Sequence, residues 1–203
     1  MANIKAVMFD VGGVLINDID SAERTEVAKI FEITEENAGK FINENNEDLS
    51  KGIITESDFW KSVSAGLGKP VPAFADSIFY DVMKNHMKVN QGTKTIAERL
   101  SKSGYITGII SNTEVSHVRY MREVNLFNGF KPTILSCEVG FRKPETQIFQ
   151  IALERLGLEG KEVAYTDDHE RKMDGAKDLG ISTHVFRSAA TLEKWLNGLG
   201  LEF

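Results

Sequence analysis

The chain has little cysteine: Cys137 is the single thiol among 203 residues. One thiol excludes a disulfide within the chain and is typical of a protein in a reducing compartment. Cys137 lies close to the apolar residues Leu135 and Val139. We therefore interpret it as a small core residue and give it no catalytic role.

Long apolar runs and basic clusters are also missing. No run approaches the about 20 apolar residues that span a bilayer, and the N-terminus lacks the layout of a secretion signal. We therefore expect a cytoplasmic protein with no membrane partner. The net charge is −6 and lysine and arginine are scattered, which argues against a nucleic-acid partner because binding a phosphate backbone needs a concentrated basic face.

What the chain does contain is an apolar run near its start that is followed by one acid and two glycines. Residues 5–10 form a predicted strand that ends at Asp10, and Gly12 and Gly13 follow. In open α/β sheets, ligands bind at the carboxyl ends of such strands. Taken alone, these residues favour the simpler interpretation that Asp10 caps a turn.

Residues 17–88 show helical periodicity and almost no strand signal. Four groups of apolar residues recur at helical spacing, which predicts four amphipathic helices. Thr55-Glu-Ser-Asp58 resembles a capping box at the start of the third. We therefore predict a helical cap over residues 17–88, inserted between residues 1–16 and 89–203 of a core domain. The four groups are Val27, Ile30 and Phe31; Ala38, Phe41 and Ile42; Phe59, Trp60 and Val63; and Phe74, Ile78 and Val82.

From residue 91 onwards, helix and strand patterns alternate. Alternation of this kind predicts a parallel sheet with helices on both faces. The fold class is therefore α/β, with a doubly wound, Rossmann-like sheet and a small α-helical cap after the first strand. The predicted strands cover 105–110, 133–136, 162–166 and 182–186, and the helices between and after them cover 114–124, 144–156, 171–179 and 191–199.

Three polar clusters fall at predicted carboxyl ends of strands, and a lysine lies in the loop before a helix. The clusters are Asp10, Ser111-Asn112 and Asp167-Asp168, and the lysine is Lys143. In a doubly wound sheet these strand ends converge on one crevice. Each cluster alone has a simpler interpretation: a helix N-cap for Ser111-Asn112, a solvated surface for Lys143 and a helix cap for Asp167-Asp168. Their shared position is much harder to explain in that way.

Four motifs together resemble the haloacid dehalogenase-like hydrolase superfamily. They are Phe9-Asp10-Val-Gly12-Gly13-Val14, Ile110-Ser111-Asn112-Thr113, Gly140-Phe-Arg142-Lys143-Pro144-Glu145, and Thr166-Asp167-Asp168 followed by Asp174-Gly175-Ala176. The resemblance covers essentially the whole chain, and the helical insert is similar to the small α-helical cap of that superfamily. The Asp-x-Gly form of the first motif is similar to a sugar-phosphate phosphatase branch that acts on α-glucose 1-phosphate.

The resemblance implies a Mg²⁺-dependent phosphomonoester hydrolase whose partner is a small phosphorylated metabolite such as a sugar phosphate. Asp10 would be the nucleophile and would form an aspartyl-phosphate that water cleaves. Lys143 would neutralise both the nucleophile and the phosphate. The implied phosphate ligands are Ser111, Lys143 and backbone N–H groups at Val11, Gly12 and Asn112. The implied Mg²⁺ ligands are Asp10, the carbonyl of Gly12, and Asp168, with Asp167 orienting the set.

Gly12 departs from the pattern of the superfamily. Most of its phosphatases carry an aspartate two residues after the nucleophile, as general acid and base. That function is typically worth ~10²–10⁴-fold, so we expect slow turnover of esters with poor leaving groups. Asp18 and Asp20 are candidates to replace the acid, but solvated acids are the simpler interpretation.

Two other functions stay open. Gly12 favours a phospho-metabolite binding or regulatory protein that has lost turnover. A 2-haloacid dehalogenase is disfavoured, because that branch resembles Asp-x-Tyr-Gly-Thr and this chain has Gly12 and Val14. The four histidines have no metal-ligand spacing, so we predict no histidine ligand. They are His86, His117, His169 and His184.

Overall fold

The computed structural model describes residues 3–203, and its centre is a sheet of five parallel strands. The order is β3-β2-β1-β4-β5. This confirms the predicted doubly wound parallel sheet. The strands are β1 (Ala6–Phe9), β2 (Ile106–Ser111), β3 (Thr133–Leu135), β4 (Val163–Asp167) and β5 (Ser182–Val185).

Helices cover both faces of the sheet and one of its edges. Within residues 3–203, no helix combines the length and the apolar character that crossing a bilayer requires. The helices are α1 (Asp20–Phe31), α2 (Glu35–Ser50), α3 (Glu56–Leu67), α4 (Ile78–His86), α5 (Gln91–Lys102), α6 (Val115–Glu123), α7 (Ser136–Val139), α8 (Thr146–Leu156), α9 (Asp174–Asp178) and α10 (Ala189–Gly198).

The central strand, β1, is buried on both faces. Val7 and Phe9 pack into the apolar cluster that includes residues of α5 and α10, whereas Ala6 and Met8 pack into the cluster of α8 and α9. Because neither face meets water, β1 is a continuous apolar run, the pattern of a central strand in a parallel sheet. This burial fixes where the strand ends, and so where the acid that follows it lies.

Helices α1 to α4 pack around an apolar cluster of their own. Trp60 is fully buried there, with its ring centroid 5.6 Å from that of Phe31 and 5.0 Å from that of Phe79. Of the predicted capping box, the structure shows the N-cap half: the Thr55 hydroxyl accepts the backbone N–H of Asp58 at 3.2 Å and donates to the Asp58 carboxylate at 2.7 Å.

The chain enters and leaves this helical insert at one place. Ile16 and Val89 form an antiparallel bridge, and the backbone N–H of Asn17 donates to the carbonyl of Lys88 at 2.9 Å. The division into a core of residues 1–16 and 89–203 and a cap of residues 17–88 stays a prediction.

Some predicted boundaries are wrong. Phe74 was expected in the fourth helix of the insert, but α4 begins at Ile78 and the Phe74 side chain is 51% exposed. The chain turns there because the N–H of Ala75 donates to the carbonyl of Pro72. The predicted strand over 133–136 ends one residue earlier, since Ser136 begins the one-turn helix α7.

Candidate active site

The three central strands end side by side at one edge of the sheet. Asp10 directly follows β1, while Ser111 and Asp167 are the last residues of β2 and β4, the two neighbours of β1. The backbone N–H of Asp10 donates to the carbonyl of Thr166 at 3.0 Å, so the pairing with β4 continues to Asp10. The structure therefore brings the three predicted polar clusters together at a topological switch point.

Lys143 is the centre of this arrangement. Its Nζ lies 2.8 Å from Asp10 Oδ1 and 2.7 Å from Asp167 Oδ2, and it donates to the hydroxyl of Tyr165 at 2.8 Å. The side chain is 0% exposed, so the alternative of a solvated surface lysine is wrong. Burial acts to lower the pKa of Lys143, but the two carboxylates outweigh it and raise that pKa. Lys143 is therefore a buried cation.

Asp10 is a buried carboxylate with an altered acidity. Its Oδ1 accepts the backbone N–H of Val11 at 2.7 Å as well as Lys143. Burial raises its pKa, Lys143 opposes the rise, and the result is a pKa of about 6. The Asp10 carboxylate is thus more basic than that of an ordinary aspartate, which suits a nucleophile.

The two adjacent aspartates after Thr166 have different environments. Asp167 Oδ2 accepts Lys143 and the hydroxyl of Tyr165 at 2.7 Å, and its Oδ1 accepts the backbone N–H of His169 at 2.9 Å. Burial would raise the pKa of Asp167, but Lys143 outweighs it and holds the pKa well below its usual range. In Asp168, burial raises the pKa, and its Oδ1 is buried with no hydrogen-bond partner among residues 3–203.

These aspartates form a donor set that fits a divalent cation. Asp10, Asp167 and Asp168 each offer a carboxylate oxygen, and these oxygens lie within 4.8 Å of one another. Mg²⁺ prefers oxygen ligands, and a cation would satisfy the buried Oδ1 of Asp168. Gly13 makes room for the set: its φ is +71°, and a Cβ there would overlap Asp168 Oδ2.

Asn112 holds the loop that carries Lys143. Its side-chain amide donates to the carbonyl of Lys143 at 2.9 Å, and its Oδ1 accepts the backbone N–H of Lys143 at 2.7 Å. The alternative in which Ser111 or Asn112 caps the next helix is wrong, because Glu114 occupies the N-cap position of α6. Ser111 is buried, with its hydroxyl 3.3 Å from the carbonyl of Asn112.

A cavity of about 350 Å³ lies between this edge of the sheet and the helical insert. Asp10, Gly12 and Asp168 line it on the sheet side, and Arg24 and Asn46 line it on the insert side. Gly12 has φ −63° and ψ 133°, and a Cβ there would meet no atom within 4 Å. The two candidate replacement acids, Asp18 and Asp20, also line the cavity, with exposed side chains.

A buried imidazole joins the insert to the core beside the cavity. His117 of α6 lies 2.8 Å from Glu114 through Nδ1 and 3.2 Å from Glu23 of α1 through Nε2. Burial acts to lower the pKa of His117, but the carboxylates, Glu114 foremost, raise it to about 10. The three-residue spacing of Glu114 and His117 could have pointed to their pairing. Nothing in the sequence points to Glu23.

Tyr165 is a second site residue that sequence reasoning missed. Its hydroxyl receives a hydrogen bond from Lys143 and donates one to Asp167. A signal for it existed, since residues two apart in a strand point to the same face of the sheet. Tyr165 precedes Asp167 by two positions in β4.

Fold and site together define an α/β enzyme with an acid–lysine pair and a divalent-cation set at the carboxyl edge of a parallel sheet. The sequence model of haloacid dehalogenase-like hydrolases matches residues 4–180, and the chain belongs to that family. The resemblance drawn from the four motifs is therefore confirmed.

Several known proteins are similar to this chain. A glyceraldehyde 3-phosphate phosphatase of Methanothermobacter thermautotrophicus is 26% identical over 205 residues, which cover 93% of this chain and 88% of the phosphatase. Bifunctional epoxide hydrolase 2 of Rattus norvegicus is 29% identical over 166 residues, or 75% of this chain. The match spans only 30% of that epoxide hydrolase.

A solved structure gives a comparison at the level of the fold and its ligands. It is a family enzyme of Bacteroides thetaiotaomicron in complex with magnesium and inorganic phosphate. Superposed on this protein, that structure gives a TM-score of 0.69 at 26% sequence identity, and the match covers 91% of this chain and 95% of the Bacteroides enzyme.

Proposed function

We propose that this protein is a Mg²⁺-dependent phosphatase that hydrolyses a phosphomonoester of a small metabolite. The observation that carries the proposal is the buried Lys143, which lies between Asp10 and Asp167. Beside it is Asp168 Oδ1, which has no hydrogen-bond partner in the part of the chain that the structure describes. An anionic nucleophile can approach an anionic phosphate only where positive charge is concentrated. The related phosphatase and the related magnesium and phosphate complex support this proposal.

The reaction would use Asp10 as the nucleophile. Asp10 attacks phosphorus, the bond to the ester oxygen breaks, and an aspartyl-phosphate forms. Water then attacks phosphorus, which releases inorganic phosphate and returns the carboxylate of Asp10. Lys143 stabilises the negative charge in both steps, and Ser111 donates its hydroxyl to a phosphate oxygen. Val11 would have to exchange its bond to Asp10 for one to the phosphate.

The metal would be held at the acidic cluster. We propose Asp10, the carbonyl of Gly12, and Asp168 as its ligands, with Asp167 in support because both oxygens of Asp167 already accept hydrogen bonds. When bound, Mg²⁺ supplies further neutralisation of the phosphate charge.

The leaving group is the second part of the proposal. Gly12 provides no proton donor, so esters with poor leaving groups should turn over slowly. Hydrolysis of a sugar phosphate at its anomeric position would be slowed less, because the anomeric hydroxyl is a better leaving group than a simple alcohol. A cavity of about 350 Å³ has room for such a compact ester.

The experiment is release of inorganic phosphate from a panel of metabolite phosphates with Mg²⁺. We expect Asp10→Asn to abolish it and Asp76→Asn, the same change at an exposed position of the insert, to leave it unchanged. Full activity in Asp10→Asn would contradict the mechanism.

One alternative function has an observation in its favour. Gly12 supports a phospho-metabolite binding or regulatory protein. Binding of a phosphate ester without release of phosphate over hours would select that function. Halide release from a 2-haloacid that is insensitive to chelators would instead identify a dehalogenase.

A further inference from the structure

Arg24 is a cation of the helical insert that lines the cavity. It lies on α1, and its stem crosses Gly39 of α2, where a Cβ would come within 2.6 Å of Arg24 Cδ. Among residues 3–203, no ion pair or side-chain hydrogen bond is made by its guanidinium. The missing side chain at Gly39 thus leaves room for the stem of Arg24. The five N–H donors of the Arg24 guanidinium remain available to a ligand.

Asn46 adds an acceptor to the same wall. It lies on α2 and lines the cavity, and its Oδ1 is buried with no hydrogen-bond partner among residues 3–203. Since buried carbonyl oxygens are almost always satisfied, Oδ1 is expected to meet a donor when the cavity is filled.

The charge around this pair selects between ligands. Asp18 and Asp20 line the insert side of the cavity as well, whereas Glu23 there is paired with His117. The cations Arg142 and Lys172 line the core side. Burial and Asp18 raise the pKa of Asp20, and Lys172 and Arg24 oppose the rise. A second anionic group on the substrate would therefore meet Asp18 and Asp20 on this side, whereas a hydroxyl can accept from Arg24 and donate to Asn46.

We infer that Arg24 and Asn46 form a subsite for the alcohol part of the substrate, and that this part is neutral and carries several hydroxyls, as in a polyol or sugar. The inference rests on the proposed function, because it concerns the other half of the same ester. It assigns specificity, not catalysis, to both residues.

The test compares kcat and KM with Mg²⁺ for p-nitrophenyl phosphate, glucose 1-phosphate, glycerol 3-phosphate, propyl phosphate and 3-phosphoglycerate. We expect the hydroxylated neutral alcohols to have a higher kcat/KM than propyl phosphate and 3-phosphoglycerate. Arg24→Gln and Asn46→Ala should raise KM for the preferred polyol phosphate by about 10-fold or more, the usual cost of a lost charged or buried hydrogen bond. The rise in KM should be smaller for p-nitrophenyl phosphate, because its alcohol part has no hydroxyl for either side chain to bind.

Two further variants separate a binding role from a structural one. Gly39→Ala keeps Arg24 but displaces its stem, so it should also raise KM for the polyol phosphate. Arg155→Gln on α8, outside the cavity, should have no effect.

A binding measurement keeps the inference independent of turnover. In the Asp10→Asn protein with Mg²⁺, adding Arg24→Gln should raise Kd for the polyol phosphate by about 10-fold and leave Kd for inorganic phosphate unchanged. An unchanged Kd for the polyol phosphate, or an Arg24-dependent preference for 3-phosphoglycerate, overturns the inference. Absence of phosphate release from p-nitrophenyl phosphate would refute the proposed function alone.

Discussion

Gly12 and Gly13 are neighbours in sequence but are glycine for different reasons. Gly13 needs its positive φ, and any side chain there would collide with Asp168. Gly12 has backbone angles that every L-residue adopts, and it borders open space. The absence of an acid at position 12 is therefore not imposed by the backbone.

Restoring that acid is a direct test of the missing proton donor. Gly12→Asp should raise kcat for alkyl phosphates by about 10²-fold, because general acid catalysis is typically worth ~10²–10⁴-fold. The gain should shrink for aryl phosphates, whose leaving groups need no proton. A series of alkyl and aryl phosphates of graded leaving-group pKa measures both effects.

The matched control is Gly12→Asn, which has the same shape and no acidic proton. It should bring no gain. A wild-type rate that does not vary with leaving-group pKa would show that another group already supplies the proton.

Among the elements, α6 joins the insert to the core. Its Ser116 donates to Glu56 of α3, and its Glu123 accepts the hydroxyl of Tyr80 of α4 at 2.6 Å. His117 adds the contact to Glu23 of α1. One core helix therefore sets the position of three helices of the insert over the sheet edge.

The buried imidazolium should make stability depend on pH. Its pKa is about 10 in the folded protein and 6.5 ordinarily. The stability it contributes is thus fully present below about pH 6.5 and is lost as pH rises through 10. His117→Gln should therefore cost a few kcal/mol of unfolding free energy at pH 6 and much less at pH 10. Urea unfolding across this range measures the difference.

A histidine outside the buried group of His117, Glu114 and Glu23 provides the comparison. His86→Gln, in a side chain 38% exposed, should give only a small difference in unfolding free energy. If the cost of His117→Gln were the same at pH 6 and pH 10, the imidazole would not be held charged.

Element boundaries show which parts of the fold were predictable. The strands were, because each central strand is an apolar run that ends in a polar residue, as β4 does at Asp167. The position of Phe74 was not, because its spacing from Ile78 and Val82 fits a helix. In the structure Phe74 lies in a turn, which the hydrogen bond from the N–H of Ala75 to the carbonyl of Pro72 closes. Helix α7 is a single turn and too short to have a period.

The whole site was only half predictable. The convergence of Asp10 and Asp167 was, because residues at strand ends of one sheet must converge. Lys143 lies in the loop before α8, and its motif pointed to it. Arg24 and Asn46 were not, since their place at the cavity depends on how the insert lies over the sheet. That orientation follows from contacts such as Glu23 to His117, between residues far apart in the chain. No local pattern encodes it.

Stability of the whole molecule should report the cation site independently of turnover. The carboxylates that could hold a cation come together only in the folded protein; they belong to Asp10, Asp167 and Asp168. An ion at concentration [L] that binds only the folded protein adds RT ln(1 + [L]/Kd) to the free energy of unfolding. At 100 times Kd this is about 2.7 kcal/mol, or about 5–10 °C in Tm for a chain of this size. Thermal unfolding with Mg²⁺, and again after chelation, measures the increment.

Two alanine variants test which residues are responsible for the increase in Tm caused by Mg²⁺. Gly13→Ala collides with Asp168 and should abolish the Mg²⁺ increment, whatever its effect on Tm without metal. Gly12→Ala borders open space and should keep the full increment, because the carbonyl proposed to bind the ion remains. Equal increments in the two variants would place the ion away from Asp168, since only one of the two adjacent methyl groups touches that carboxylate.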